Sequence, residues 1–164
     1  MNLKFQLDGG IQSLNAFTFF SAVNGNTEED LHLTSWLNEW EKWEFVDPSD
    51  SNSTSEFNYN QEIGIKNLKW AVYLTVKTDH TIYNAYTSPL QGNGTSVLND
   101  QRWKLLLVGD YGSNRKVQFT DTFIIQSRGN NKYIKVNLGT LNIVSMVNTR
   151  AQATQFRFIL ESVV

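Results

Sequence analysis

The sequence predicts an all-β fold of twelve short strands in three four-strand repeats, and three observations carry that prediction. One phrase, an aromatic residue, any residue and two hydrophobics, recurs at about a third of the chain as Trp43-Glu44-Phe45-Val46, Trp103-Lys104-Leu105-Leu106 and Phe156-Arg157-Phe158-Ile159. Short alternating runs are broken by Gly and Asn, with proline only at Pro48 and Pro89. Long stretches with helical periodicity are missing.

Taken in order, the first strand is expected at Leu3-Lys4-Phe5-Gln6-Leu7, which alternates apolar and polar residues. Phe19-Phe20-Ser21-Ala22 gives the second strand and Leu31-His32-Leu33 the third, and the Trp43 phrase closes the repeat. The next repeat reads Ile63-Gly64-Ile65-Lys66, Tyr73-Leu74-Thr75-Val76, Ile82-Tyr83-Asn84-Ala85 and the Trp103 phrase. The last reads Phe123-Ile124-Ile125-Gln126, Tyr133-Ile134-Lys135-Val136, Leu141-Asn142-Ile143-Val144 and the Phe156 phrase. Ile65 and Ile125 stand eight residues before Tyr73 and Tyr133; Phe5 is assigned the same place in the first repeat, displaced by an insertion around Asp8 to Asn15. The repeats span about 1–47, 60–109 and 117–162, with a polar connector at about 48–59. The serine-rich composition from Asp47 to Gln61 predicts a mobile loop.

A chain of 164 residues suits one domain with a proper core. One repeat cannot bury its apolar face alone, so the three are expected to close around a shared core. Only 18% of residues are charged and the net charge is −2, which leaves no basic footprint for nucleic acid or an anionic membrane. Without cysteine, disulfides, thiolate chemistry and Cys-based zinc sites are excluded. The alternating N-terminal stretch reads as a strand and not as a signal peptide, and no run is long enough to span a bilayer. The expectation is a cytoplasmic protein, with release to act outside the cell left open. The sequons at Asn52 and Asn93 carry no weight without evidence of secretion.

At this point the residues carry a resemblance. Ser21-Ala22-Val23-Asn24-Gly25-Asn26, Leu31-His32-Leu33-Thr34-Ser35 and Glu41-Lys42-Trp43-Glu44-Phe45-Val46-Asp47 resemble a repeat of the fascin-like β-trefoils. The run from Ile125 to Ile134 is similar to repeats of the amaranthin-type agglutinins. The resemblance implies a β-trefoil, a fold shared by lectins, toxin receptor-binding domains, actin bundlers, protease inhibitors and growth factors. Ricin-type (ricin-B-like) carbohydrate-binding trefoils close each repeat with Gln, any residue, Trp. Gln101-Arg102-Trp103 matches, Glu41-Lys42-Trp43 has Glu for Gln, and Thr154-Gln155-Phe156 is shifted. Gln101 is therefore weighed both as part of a sugar site and as a core and turn residue.

Aromatics that keep the repeat, Trp43, Trp103, Phe156, Phe19, Tyr73 and Tyr133, are assigned to packing, since each hides about 150–250 Å² worth roughly 25 cal/mol per Å². Aromatics that break it are the binding candidates. Trp36 and Trp40 lack counterparts in the other repeats, and an indole face stacks on a sugar ring while Asn38 and Glu39 take hydroxyl hydrogen bonds. The competing reading is that the two indoles cap the open end of a barrel. In the second repeat Asp79, His80, Tyr83 and Asn84, near Tyr86, combine a turn carboxylate with aromatic and amide groups, as shallow sugar sites do; the same residues make an ordinary turn. Asn131 and Asn137, either side of Tyr133, are the third-repeat counterparts.

Enzymatic readings fare badly. His32 and His80 lie in different repeats with no metal-ligand or triad spacing, and glycine-rich phosphate loops are absent. No cofactor, metal or catalytic residue is assigned. The expected function is a non-enzymatic, lectin-like binding module whose partner is a glycan or glycoprotein receptor, with a homodimer as one route to avidity. Alternatives are a toxin or defence protein, insecticidal or cytotoxic, that binds a cell-surface receptor, and a protease inhibitor acting through the Asp47 to Gln61 segment.

Overall fold

The computed structural model describes residues 1–22, 29–76, 85–89, 99–138 and 144–160. The first repeat holds β1 (Gly9–Ser13), β2 (Phe19–Ser21), β3 (Glu29–Asp30), β4 (His32–Thr34) and β5 (Trp43–Val46). The second holds β6 (Gly64–Asn67), β7 (Val72–Val76), β8 (Ala85–Pro89) and β9 (Trp103–Leu107). The third holds β10 (Phe123–Ser127), β11 (Tyr133–Val136), β12 (Val144–Val147) and β13 (Phe156–Leu160). The third strand of the first repeat is thus split in two around Leu31.

The closing strand of each repeat pairs antiparallel with the opening strand of the next: β5 with β6, β9 with β10, and β13 with β1. Within each repeat the first and last strands also touch, at Gly9↔Trp43, Ile63↔Trp103 and Phe123↔Phe156. Six strands therefore close into a barrel with no open side. The inner strands form hairpins, β7 with β8, β11 with β12 and β2 with β4, and β3 crosses between repeats to pair with β8. A six-stranded barrel carrying three hairpins is a β-trefoil.

The core repeats with the strands. Ile11, Ile65 and Ile125 are fully buried in one layer type, and Trp43, Trp103 and Phe156 in another. Buried indole N–H groups need acceptors. Trp43 Nε1 donates to the Phe20 carbonyl at 2.8 Å and Trp103 Nε1 to the equivalent Leu74 carbonyl at 2.9 Å. Phe156 has no such donor, and the third carbonyl, of Ile134, accepts instead from the Thr154 backbone N–H at 3.1 Å.

Two expectations are corrected here. The opening strand of the first repeat is Gly9–Ser13, not Leu3–Leu7, and no insertion separates it from β2: Ile11, eight residues before Phe19, occupies the place assigned to Phe5. The alternating N-terminal run belongs to a different repeated feature, an extended segment preceding each opening strand. Phe5 N–H donates to Ser55 O, Tyr59 N–H to Arg115 O and Phe119 N–H to Met1 O, a cyclic set that lies across the three repeats. Leu3, Phe57 and Val117 are its fully buried residues. The connector is consequently not a free loop throughout, because burial of Phe57 and Tyr59 ties down its second half.

The turn between the first two strands is also threefold. Phe17, Ala71 and Asn131 all adopt positive φ, of 53°, 54° and 58°, and each N–H donates to the residue four earlier, Ser13, Asn67 and Ser127.

Candidate functional site

Between β4 and β5 of the first repeat the chain runs through a short 3₁₀ turn, Glu39–Glu41. Glu41 is buried and pins this turn: its Oε1 accepts from the Asn38 N–H at 3.1 Å and its Oε2 from the Ser21 hydroxyl at 2.5 Å. The Trp40 carbonyl is held by the Ala22 N–H at 3.1 Å and by Asn67 Nδ2 at 2.7 Å. Thr34 Oγ1 donates to the Trp36 carbonyl at 2.9 Å, fixing the preceding bend. A hydrogen-bonded backbone thus carries exposed side chains.

The result is a shallow cleft of about 330 Å³ lined by Thr34, Trp36, Asn38, Glu39, Trp40 and Glu41. Trp36 is 72% exposed, far more than an indole retained for packing needs. Trp40 is 43% exposed and leans on Trp70, whose own Nε1 donates to the Ala22 carbonyl at 2.8 Å. Lys69 lies 5.6 Å from the Trp70 ring centre and 3.5 Å from Glu39. The cleft therefore offers an aromatic platform, an amide and a partly balanced carboxylate, which suits a neutral hydroxyl-rich ligand.

Of the residues singled out in the sequence, Trp36, Asn38, Glu39 and Trp40 come together in this cleft. Asp79, His80, Tyr83 and Asn84 lie outside the described residues. Asn131 and Asn137 do not converge: they stand at opposite ends of β11, Asn131 as the positive-φ turn residue and Asn137 with its Nδ2 on Ser145 Oγ at 3.0 Å. Gln101 is buried with its Nε2 3.4 Å from Thr75 Oγ1, the place Glu41 holds in the first repeat, so the core reading of that position prevails. Tyr133 is buried too, its hydroxyl meeting Gln126 Nε2 at 3.3 Å and Arg150 Nε at 3.4 Å. His32 is exposed on β4.

Trp70 and Lys69 were missed in the sequence, although Trp70 also lacks aromatic counterparts at the matching turns, where Ala16 and Asn130 stand. Among the described residues no group of three or more His, Asp or Glu side chains could hold a metal ion. Among them too, no helix is long and apolar enough to cross a membrane.

The other polar cluster of note is structural. Asp121 accepts both guanidinium nitrogens of Arg115 at 2.8 and 3.0 Å, the Tyr59 hydroxyl at 2.6 Å and the Gln118 N–H at 2.9 Å. Burial alone would push the Asp121 carboxyl up, but the hydrogen bonds from Arg115, Tyr59 and Gln118 outweigh it and hold it below the ordinary carboxylate value. Burial and the same carboxylate push the Tyr59 phenol well above its usual range.

No protein-family model matches the chain, and no curated protein matches its sequence. Solved structures do match its fold. An SDF2-like protein from Arabidopsis thaliana superposes with a TM-score of 0.76 at 10% identity, covering 96% of this chain and 94% of that one. A Caenorhabditis elegans protein described as of unknown function gives 0.74 at 8% identity, covering 96% and 95%. The designed threefold-symmetric protein ThreeFoil gives 0.64 at 13% identity, covering 93% and 97%. A BEL β-trefoil gives 0.65 at 11% identity, covering 98% and 99%. At these identities the likeness is one of fold.

Proposed function

We propose that this β-trefoil is a non-enzymatic, glycan-binding module whose principal site is the first-repeat cleft. The observation that carries the reading is Trp36, an indole 72% exposed beside a cleft whose other walls are Thr34, Asn38, Glu39 and Trp40. Exposing an indole forgoes about 2 kcal/mol or more of burial, and a stacking ligand restores part of it. A single platform with a few hydrogen bonds corresponds to millimolar affinity, about 4 kcal/mol, so function would rely on several sites or on multivalent display.

A protein receptor for a toxin-like or defence role is the second reading. Exposed Trp36 and Trp40 support it, because tryptophan is enriched at interface hot spots. A glycan array with wild-type protein and Trp36→Ala separates the two. Saturable binding to a sugar class, lost in the folded variant, supports the lectin reading; a blank array with well-folded protein moves the site to a protein receptor.

A further inference from the structure

The three junctions between repeats are built alike and filled differently. Backbone hydrogen bonds from Leu68 to Lys42, from Arg128 to Arg102 and from Leu14 to Gln155 put them in register. In that register Trp40 and Trp70 of the first junction correspond to Asp100 and Asn130 of the second and to Ala153 and Ala16 of the third. The first junction is filled by its two indoles, with ring centres 6.0 Å apart. The second is closed by contact, since a Cβ on Gly129 would lie 3.2 Å from the Asp100 Cα. The third has two alanines where the first has two tryptophans, and beside Ala153 lies a shallow, open depression of about 370 Å³ lined by Leu14, Asn15, Lys135, Gln152, Ala153, Thr154 and Gln155.

Its chemistry differs from that of the Trp36 cleft. Asn15, Gln152, Gln155 and Lys135 are among its lining residues, and none of the described Asp or Glu residues lines it. Asn15 is fixed by its Nδ2 on the Val136 carbonyl at 2.9 Å, and Thr154 Oγ1 accepts the Val136 N–H at 2.8 Å, so the floor is ordered. Two exposed apolar side chains, Phe17 and Leu138, each stand two residues beyond the ends of the Asn15–Val136 hydrogen bond. Phe17 holds its place on this turn at a φ of 53°, strained for a bulky residue.

We infer that the third junction is a second binding site, and that it takes a carboxylated saccharide: Lys135 meets the carboxylate and the carboxamides of Asn15, Gln152 and Gln155 take ring hydroxyls. The site stands on its own residues and does not require the Trp36 cleft to bind anything.

The test is a titration of the ¹⁵N-labelled protein with glucuronate, glucose and acetate to about 50 mM, above the millimolar range expected of one shallow site. The expected result is saturable shifting of the Asn15, Lys135 and Gln152–Gln155 amides by glucuronate. Glucose and acetate should bind about tenfold more weakly or worse. Lys135→Met should lose the response, Lys135→Arg should keep it, and Ala153→Trp should abolish it by refilling the junction. Trp36→Ala should leave it intact, which separates this site from the first-repeat cleft. Equal responses to glucose would overturn the carboxylate, equal responses to acetate would overturn the saccharide, and no saturable shift at these amides with glucuronate would overturn the site.

Discussion

The indoles of Trp40 and Trp70 stand 6.0 Å apart with their planes inclined by 51°, one from the closing turn of the first repeat and one from the opening turn of the second. This pair welds two repeats at the base of the exposed cleft. Trp70→Ala should destabilise by about 2–4 kcal/mol, through lost packing and the orphaned Ala22 carbonyl, and Trp40→Ala by about 1–2. A double-mutant cycle by urea denaturation should return about 0.5–1.5 kcal/mol of coupling. Strict additivity would mean that the rings contribute nothing to each other.

Asp121 makes the stability acid-sensitive. Its folded carboxyl lies below the ordinary value of 3.8, so it stabilises the fold at pH values above about 4, and that contribution is lost as pH falls through the folded value. Asp121→Asn should cost about 1–3 kcal/mol at pH 7 and flatten the stability profile as pH falls below about 4. Parallel acid profiles for wild type and variant would refute the assignment.

Left-handed backbone strain should be relievable at one turn and not at its counterpart. Ala71 sits at a φ of 54°, where a Cβ costs about 1–2 kcal/mol, so Ala71→Gly should stabilise by about 0.5–1 kcal/mol after the entropy of glycine is counted. Asn131→Gly, at 58°, should change thermal stability little, because asparagine tolerates this region. Melting temperatures of the two variants give the comparison directly.

Gly10 packs beneath the turn that carries Trp36 and Asn38. A Cβ there would lie 2.7 Å from Leu37 Cδ1 and 2.7 Å from Phe19 Cδ1. Gly10→Ala should therefore destabilise by about 1–3 kcal/mol and, because Leu37 lies between Trp36 and Asn38, weaken the glycan binding proposed for the cleft without altering any residue that lines it. Isothermal titration with a sugar found on the array measures this; unchanged affinity would uncouple Leu37 from the site.

Most of the fold was legible because a repeated core leaves repeated letters: the spacing from Ile65 to Tyr73 and from Ile125 to Tyr133 holds equally from Ile11 to Phe19. Phe5 was misplaced because Leu3–Leu7 alternates like a strand, and a barrel-closing extended segment obeys the same period-two rule. Trp36 was legible as an aromatic without counterparts. Asn131 has a conformational role that its side chain does not announce, since it takes the positive-φ turn position that Phe17 and Ala71 hold in the other repeats. The third-junction depression was illegible because Ala153 announces itself only by what it fails to fill.

The pairing of β1 with β13, running from Gly9↔Leu160 to Ser13↔Phe156, completes the ring of strands. Among the described residues each barrel strand has a strand neighbour on both sides, which disfavours adding a strand of another chain along the barrel. Among the described strands, β4 and β12 on the hairpins each have a single strand neighbour, so pairing with another chain is confined to the hairpins. Amyloid-like pairing of barrel strands would demand that this seam first come apart.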